Sequence, residues 1–206
     1  DSIRADVAAN SNVQPMSFTY SGGYRVVPAN FNAADVASWK GQEVRTSGSP
    51  TADAVFEILG ANTRGDIDLE VMTEYADRGE IAAGESPYVR VLPLKQNKSF
   101  SHINDTAHSL LLTSIIVNQD FLGTFDEDVQ KIMSVAAFNA ARQERRQSVA
   151  DVPGIIEELN AEGVEIVNLT DEQTAELKAA TAPVYEQFKD AFTPGLVQAM
   201  RDASKK

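Results

Sequence analysis

The chain has 206 residues, 43% hydrophobic and 23% charged, an ordinary balance for a folded globular protein and one that argues against disorder. Its formal net charge of −12 repels phosphate backbones and anionic membranes, so no nucleic-acid partner is expected and any anion site has to be built locally from arginines. The absence of cysteine removes disulfides, thiol catalysis and zinc–thiolate centres together, and is compatible with cytosol or periplasm alike.

Residues 1–14 are small and polar without a period and read as a loose lead-in. The first residue is Asp1, with no initiator methionine and no basic-then-apolar leader, so either a signal peptide has been removed or the numbering starts inside a longer protein. Met16–Tyr20 alternates bulky and small polar side chains as a half-buried strand does, Gly22 and Gly23 break it, and Tyr24–Val27 is a second extended run ended by Pro28. Asn32 reads as the N-cap of a short helix to Trp39, closed by Gly41, and Glu43–Thr46 as a strand. Ser49 before Pro50 starts a helix with Val55, Ile58 and Leu59 on one face, stopped by Gly60. Asp66 caps a helix to about Arg78, with Gly79 at its end, and Ile81–Ala83 is a short strand.

The second half is more helical. Leu110–Val117 is far shorter than the roughly 20 apolar residues a membrane span needs, and reads as one or two buried strands. Thr124 and Glu127 have the spacing of a capping box opening a long helix to about Val149, which Pro153 ends or kinks. Ile155, Ile156 and Leu159 mark a further helical stretch to Gly163, and Val164–Leu169 a strand. Thr170 and Gln173 form a second capping box, before a helix turning Leu177, Val184 and Phe188 inward. Alternating strands and helices predict α/β layers on a largely parallel sheet.

The usual enzyme signatures are incomplete. Gly84-Glu85-Ser86-Pro87-Tyr88 matches a nucleophile elbow for three residues, but Tyr88 stands where a tight turn needs the last glycine. His102 and His108 are six apart, which is neither a zinc-binding HExxH pair nor a face-sharing helical spacing, and each reads as a solvated or hydrogen-bonded surface group. No glycine run has the spacing of a dinucleotide loop. Arg25 and Arg45, by contrast, lie at the ends of predicted strands beside glycine turns, where open α/β sheets bind ligands. A guanidinium matches a carboxylate bidentately, although either arginine on its own could equally be a solubilising surface residue.

Read together, these segments resemble the second lobe of the DctP-type solute-binding proteins of TRAP (tripartite ATP-independent periplasmic) transporters. The landmarks are Gly23-Tyr24-Arg25, Lys40-Gly41, Val44-Arg45, Leu59-Gly60-Ala61 and the Gly84-Glu85-Ser86-Pro87 turn, followed by the strand and long helix of 110–133 and the strand and helix of 161–188. The resemblance covers nearly the whole chain from about Pro15. It implies an α/β, type II periplasmic-binding-protein-like two-lobed fold, here largely the second lobe plus long C-terminal helices. Residues 1–111 with 152–206 would make that lobe, and 112–151 the return into a first lobe that is mostly absent. It further implies a periplasmic subunit that captures a small organic carboxylate for the TRAP membrane permease subunits, without catalysis, cofactor or metal. Arg45 would be the principal ligand arginine and Arg25 a second cationic contact. Ser86 stands where the family commonly has a ligand-contacting asparagine, and its hydroxyl is shorter and makes fewer hydrogen bonds. Glu85 and Pro87 are expected to shape the turn. A periplasmic enzyme or a ligand-sensing module on a similar scaffold are the competing readings.

Overall fold

In the computed structural model, which describes residues 2–203, the polar lead-in is organised: a helix α1 (Ser2–Asn10) precedes a strand β1 (Val13–Ala29). The glycine pair does not divide that strand. Ser21, Gly22 and Gly23 all take positive φ and form a bulge against the partner strand, after which pairing resumes at Gly23. The expected break is therefore an irregularity inside one long strand. Gly22 has room for nothing larger, since a Cβ there would lie 2.5 Å from Val89 and 2.8 Å from Pro87.

After β1 come β2 (Glu43–Arg45), α2 (Pro50–Ile58), β3 (Asn62–Arg64), α3 (Met72–Asp77), β4 (Ala83–Gly84) and β5 (Ser86–Pro87). Next are α4 (Tyr88–Val91), α5 (Gln96–Ser99), β6 (His102–Asp105), β7 (Leu110–Asn118), α6 (Gln119–Gly123) and α7 (Glu127–Ala161). The chain finishes with β8 (Glu165–Asn168), α8 (Asp171–Thr181), α9 (Pro183–Gln187) and α10 (Leu196–Ala203). The sheet runs β3-β2-β4-β1-β6-β8, with β5 and β7 also paired to β1. It is mixed rather than largely parallel. β2 runs parallel to β3 and β4, and β6 to β8, but β1 is antiparallel to β4, β5, β6 and β7.

Successive residues of β1 point to opposite faces, and both faces are covered at its C-terminal end. Val27 and Ala29 pack with Trp39, Val44, Phe56 and Leu59 on one side, while Val26 packs with Tyr88, Val91, Ile103 and Leu159 on the other. The inward side chains of α2 are thus Ala54 and Phe56, with Leu59 just past its end; Ile58, read as inward, is exposed. β7 is a single strand but not a buried one, since Leu112 and Ile116 are 46% and 59% exposed.

Several expected caps move. The helix before Trp39 is a 3₁₀ turn (Val36–Trp39) capped by Asp35, whose carboxylate accepts from Ser38 N, in place of Asn32. Asp66 pairs with Arg64 instead of opening a helix, and a 3₁₀ turn (Leu69–Val71) leads into α3. Asp126 caps α7 by accepting from Val129 N, while Thr124 closes α6 by donating to Phe121 O. Helix α7 does not end at Pro153 but continues to Ala161. The Thr170–Gln173 capping box is present in both directions, with Gln173 N donating to Thr170 Oγ1 and Thr170 N to Gln173 Oε1. Among the described residues no helix is long and apolar enough to cross a membrane.

Candidate functional site

The parallel strands β2 and β4 end side by side, with Arg45 registered against Gly84. The pairing needs the glycine, because a Cβ at Gly84 would meet the Met72 sulfur and lie 3.1 Å from Arg45 Cβ. Arg45 is only 7% exposed. Its Nε donates to Ile67 O at 2.8 Å and its Nη1 to Glu85 O at 3.3 Å. Both partners are neutral carbonyls, Nη2 has no hydrogen-bond partner among the described residues, and no carboxylate there lies within ion-pair distance. Burial pushes this guanidinium below its ordinary value; Glu85 opposes that shift and Arg25 adds to it. A buried cation without an ion-pair partner is expensive, so the site is electrostatically incomplete.

Arg25 is in the opposite condition. It lies on β1 opposite Pro87 of β5, and its Nη1 sits 2.5 Å from Glu85 Oε1. Glu85, with a side chain only 1% exposed, links three further segments. Its Oε1 accepts from the amide of Ser47, in the loop after β2, at 2.6 Å. Its Oε2 faces Nε2 of His108, in the loop after β6, at 3.3 Å. Burial alone pushes the Glu85 carboxyl up, but the His108 hydrogen bond, the Arg25 charge and the Ser47 amide outweigh it and hold it at about 2. His108 is fixed by Thr106 Oγ1 at 2.7 Å from Nδ1 and by the Phe56 ring, edge-on at 5.4 Å.

A cavity of about 770 Å³ opens over this cluster. Arg25, Ser47, Ser49, Thr51, Phe56, Glu85, Thr106 and His108 line it from the sheet side, and Leu177, Lys178, Tyr185, Phe188 and Arg201 from the C-terminal helices. Arg45 is not in this wall but directly behind it, joined through the Glu85 carbonyl. Ser86 is also outside the wall: it is buried opposite Val26 of β1, and its Oγ makes one long contact of 3.5 Å to Pro87 O. No imidazole hydrogen-bonds that hydroxyl, since His108 is directed at Glu85. Among the described residues no three His, Asp or Glu side chains gather as metal ligands.

The structure thus brings Arg25 and Arg45 to one acidic hinge point, Glu85, and adds two residues that sequence reasoning did not place there. Glu85 was expected to shape the turn and His108 to lie at the surface. The only signal for Glu85 is its position directly after a strand-end glycine. His108 has none, because its partners come from strands distant in sequence.

The family model for bacterial extracellular solute-binding protein, family 7 (DctP), matches residues 1–191. The 2,3-diketo-L-gulonate-binding periplasmic protein YiaO of Escherichia coli K12 is 27% identical over 164 residues, covering 79% of this chain and 48% of the relative. A TRAP periplasmic solute-binding protein of Ralstonia eutropha H16, solved with (S)-2-acetolactate, superposes with a TM-score of 0.89 at 22% identity, over 100% of this chain and 67% of that one. One from Desulfovibrio desulfuricans, solved with sn-glycerol-3-phosphate, gives 0.89 at 20% identity, over 100% and 65%. The chain therefore spans about half the length of the curated relative and about two thirds of the solved structures. It belongs to the DctP family of extracellular solute-binding proteins.

Proposed function

We propose that this member of the DctP family forms the carboxylate-holding side of a periplasmic binding subunit, which captures a small organic acid and delivers it to a TRAP membrane permease. The observation that carries the reading is Arg45: a buried guanidinium with two N–H groups spent on carbonyls, its Nη2 end unpartnered, and no carboxylate of its own. A guest carboxylate is the group that completes it, in a charge-assisted pair stronger than a neutral hydrogen bond. Arg25 lies beside it as the second cation, already partly neutralised by Glu85. Ser86 is the third member of the proposed set, with the smallest part, since its hydroxyl is buried next to β1. The similar proteins are described with diketogulonate, acetolactate and glycerol phosphate, each an acid.

Capture follows from closure. A second wall folding over the cavity removes water from the pair and strengthens it, and the ligand shifts the population toward the closed form. In this reading residues 1–111 and 152–206 make one lobe, and 112–151 run into the other. The exposed apolar side chains of that return, Leu112 and Ile116 on β7 and Ile132, Val135 and Phe138 on α7, suit burial against more of the same protein. The test is mass spectrometry of the full-length protein purified without added ligand. The reading expects a small acid released on denaturation and absent from the Arg45→Ala variant. A protein that carries no acid, and whose melting temperature no small carboxylate raises, would contradict it.

A further inference from the structure

We infer that Glu85 and His108 set the charge of the guest this site accepts: one acid group at neutral pH, and a second only when the imidazole is protonated. The inference rests on the function proposed above, because it concerns the same cavity. Two guanidiniums, Arg25 and Arg45, meet one carboxylate, Glu85, which is buried and held by Arg25 Nη1 at 2.5 Å, Ser47 N at 2.6 Å and His108 Nε2 at 3.3 Å. With a neutral imidazole, the cluster carries one net positive charge, and a single guest carboxylate cancels it. A second acid group on a short guest would meet Glu85 with no cation left unspent, and like charges in a desolvated cleft repel strongly.

His108 can change that balance without rearrangement. In the neutral ring, Nε2–H points to Glu85 and Nδ1 accepts from the Thr106 hydroxyl at 2.7 Å. A proton added at Nδ1 needs only the hydroxyl to rotate and accept instead, while Phe56 keeps the ring in place. The site then gains a positive charge in the pH range where histidines titrate. The remaining ionisable groups nearby have other positions or partners. Asp53 on α2 accepts from Thr46, Asp105 on β6 faces Tyr88, and Lys178, Tyr185 and Arg201 belong to α8, α9 and α10. Short guests keep both acid groups beside Arg45, which separates the effect from Lys178 and Arg201.

The test is titration calorimetry and thermal shift on the full-length protein with matched acids, glycerate against tartronate and 2-hydroxybutanoate against malate, from about pH 8 to about pH 5.5. At the upper end each monoacid should bind at least about tenfold tighter than its diacid. The gap should close as pH falls, because the diacid gains affinity as His108 takes up its proton. His108→Gln should make the ratio independent of pH, and Glu85→Gln should let the diacid bind at neutral pH. If Glu85→Gln does not fold, the pH series on the unsubstituted protein and His108→Gln decides alone. Diacids binding as tightly as monoacids at neutral pH, or a ratio that does not move with pH in the unsubstituted protein, would overturn the inference and leave the carboxylate-binding function standing. If no acid of either pair binds, both fall.

Discussion

At the scale of single residues, the site is a contrast between a satisfied charge and an unsatisfied one. Glu85 is an acid in a nest of donors, and its carboxyl, held at about 2 against an ordinary 4.5, ties stability to pH. A depressed acid contributes stability above its unfolded value and loses it as pH falls through the folded one. On the order of 3 kcal/mol should therefore disappear between about pH 4.5 and about pH 2. Urea unfolding across that window should show a steep loss in the unsubstituted protein and a shallower one in Glu85→Gln; equal slopes would mean the nest is not what depresses the group. Gly84 makes a second prediction. Gly84→Ala drives a methyl into Met72 and toward Arg45, so it should lower stability by about 1–3 kcal/mol and weaken ligand binding together, measured by thermal melts and calorimetry. Arg45 was legible in the sequence because a strand end and a nearby glycine turn mark such a position locally. The part played by Glu85 was not, since its donors arrive from β1, the loop after β2 and the loop after β6, and no local pattern encodes that convergence.

At the scale of elements, the signals that were read correctly are the ones that close within a few residues. The Thr170–Gln173 box is complete in itself, and Thr170→Ala should cost about 1 kcal/mol, seen as a lowered melting temperature. The Thr124–Glu127 pattern has the same spacing and failed because Asp126 supplies a carboxylate one turn from Val129 N, while Thr124 is spent on α6. Asp126→Ala should therefore destabilise more than Thr124→Ala; the reverse order would restore the box. Pro153 shows the other limit. A proline inside a helix costs about 3 kcal/mol or more, yet Val152, Ile155, Ile156 and Leu159 on either side of it pack against one core cluster with Val26 and Ile103, and that burial carries α7 through. The glycine pair of β1 misled for the same reason. The flanks are pinned by β7 and by α7, where Glu144 accepts from Tyr20 N and Arg145 donates to Phe18 O, so the turn-forming residues become a bulge.

At the scale of the whole molecule, two long elements organise everything else. β1 pairs with β7 along its first half and with β4, β5 and β6 along its second, while α7 packs along β1 and sends its C-terminal turns into the core beneath β6 and β8. The α/β layering was legible because helical and extended periods alternate clearly along the chain. The mixed sheet was not, since strand direction depends on how β1 threads between partners far away in sequence. The cavity sits where β2 and β4 end and β1 passes, so one buried arginine faces it from behind with its charge unpaired. The most direct measurement of the account is calorimetric titration of the full-length protein with the acid it retains, in unsubstituted, Arg45→Ala and Arg25→Ala forms. Loss of a buried charged partner costs about 2–5 kcal/mol, so Arg45→Ala should weaken binding by roughly 30-fold to several thousand-fold, and Arg25→Ala by less. Undiminished affinity in a folded Arg45→Ala protein would contradict it.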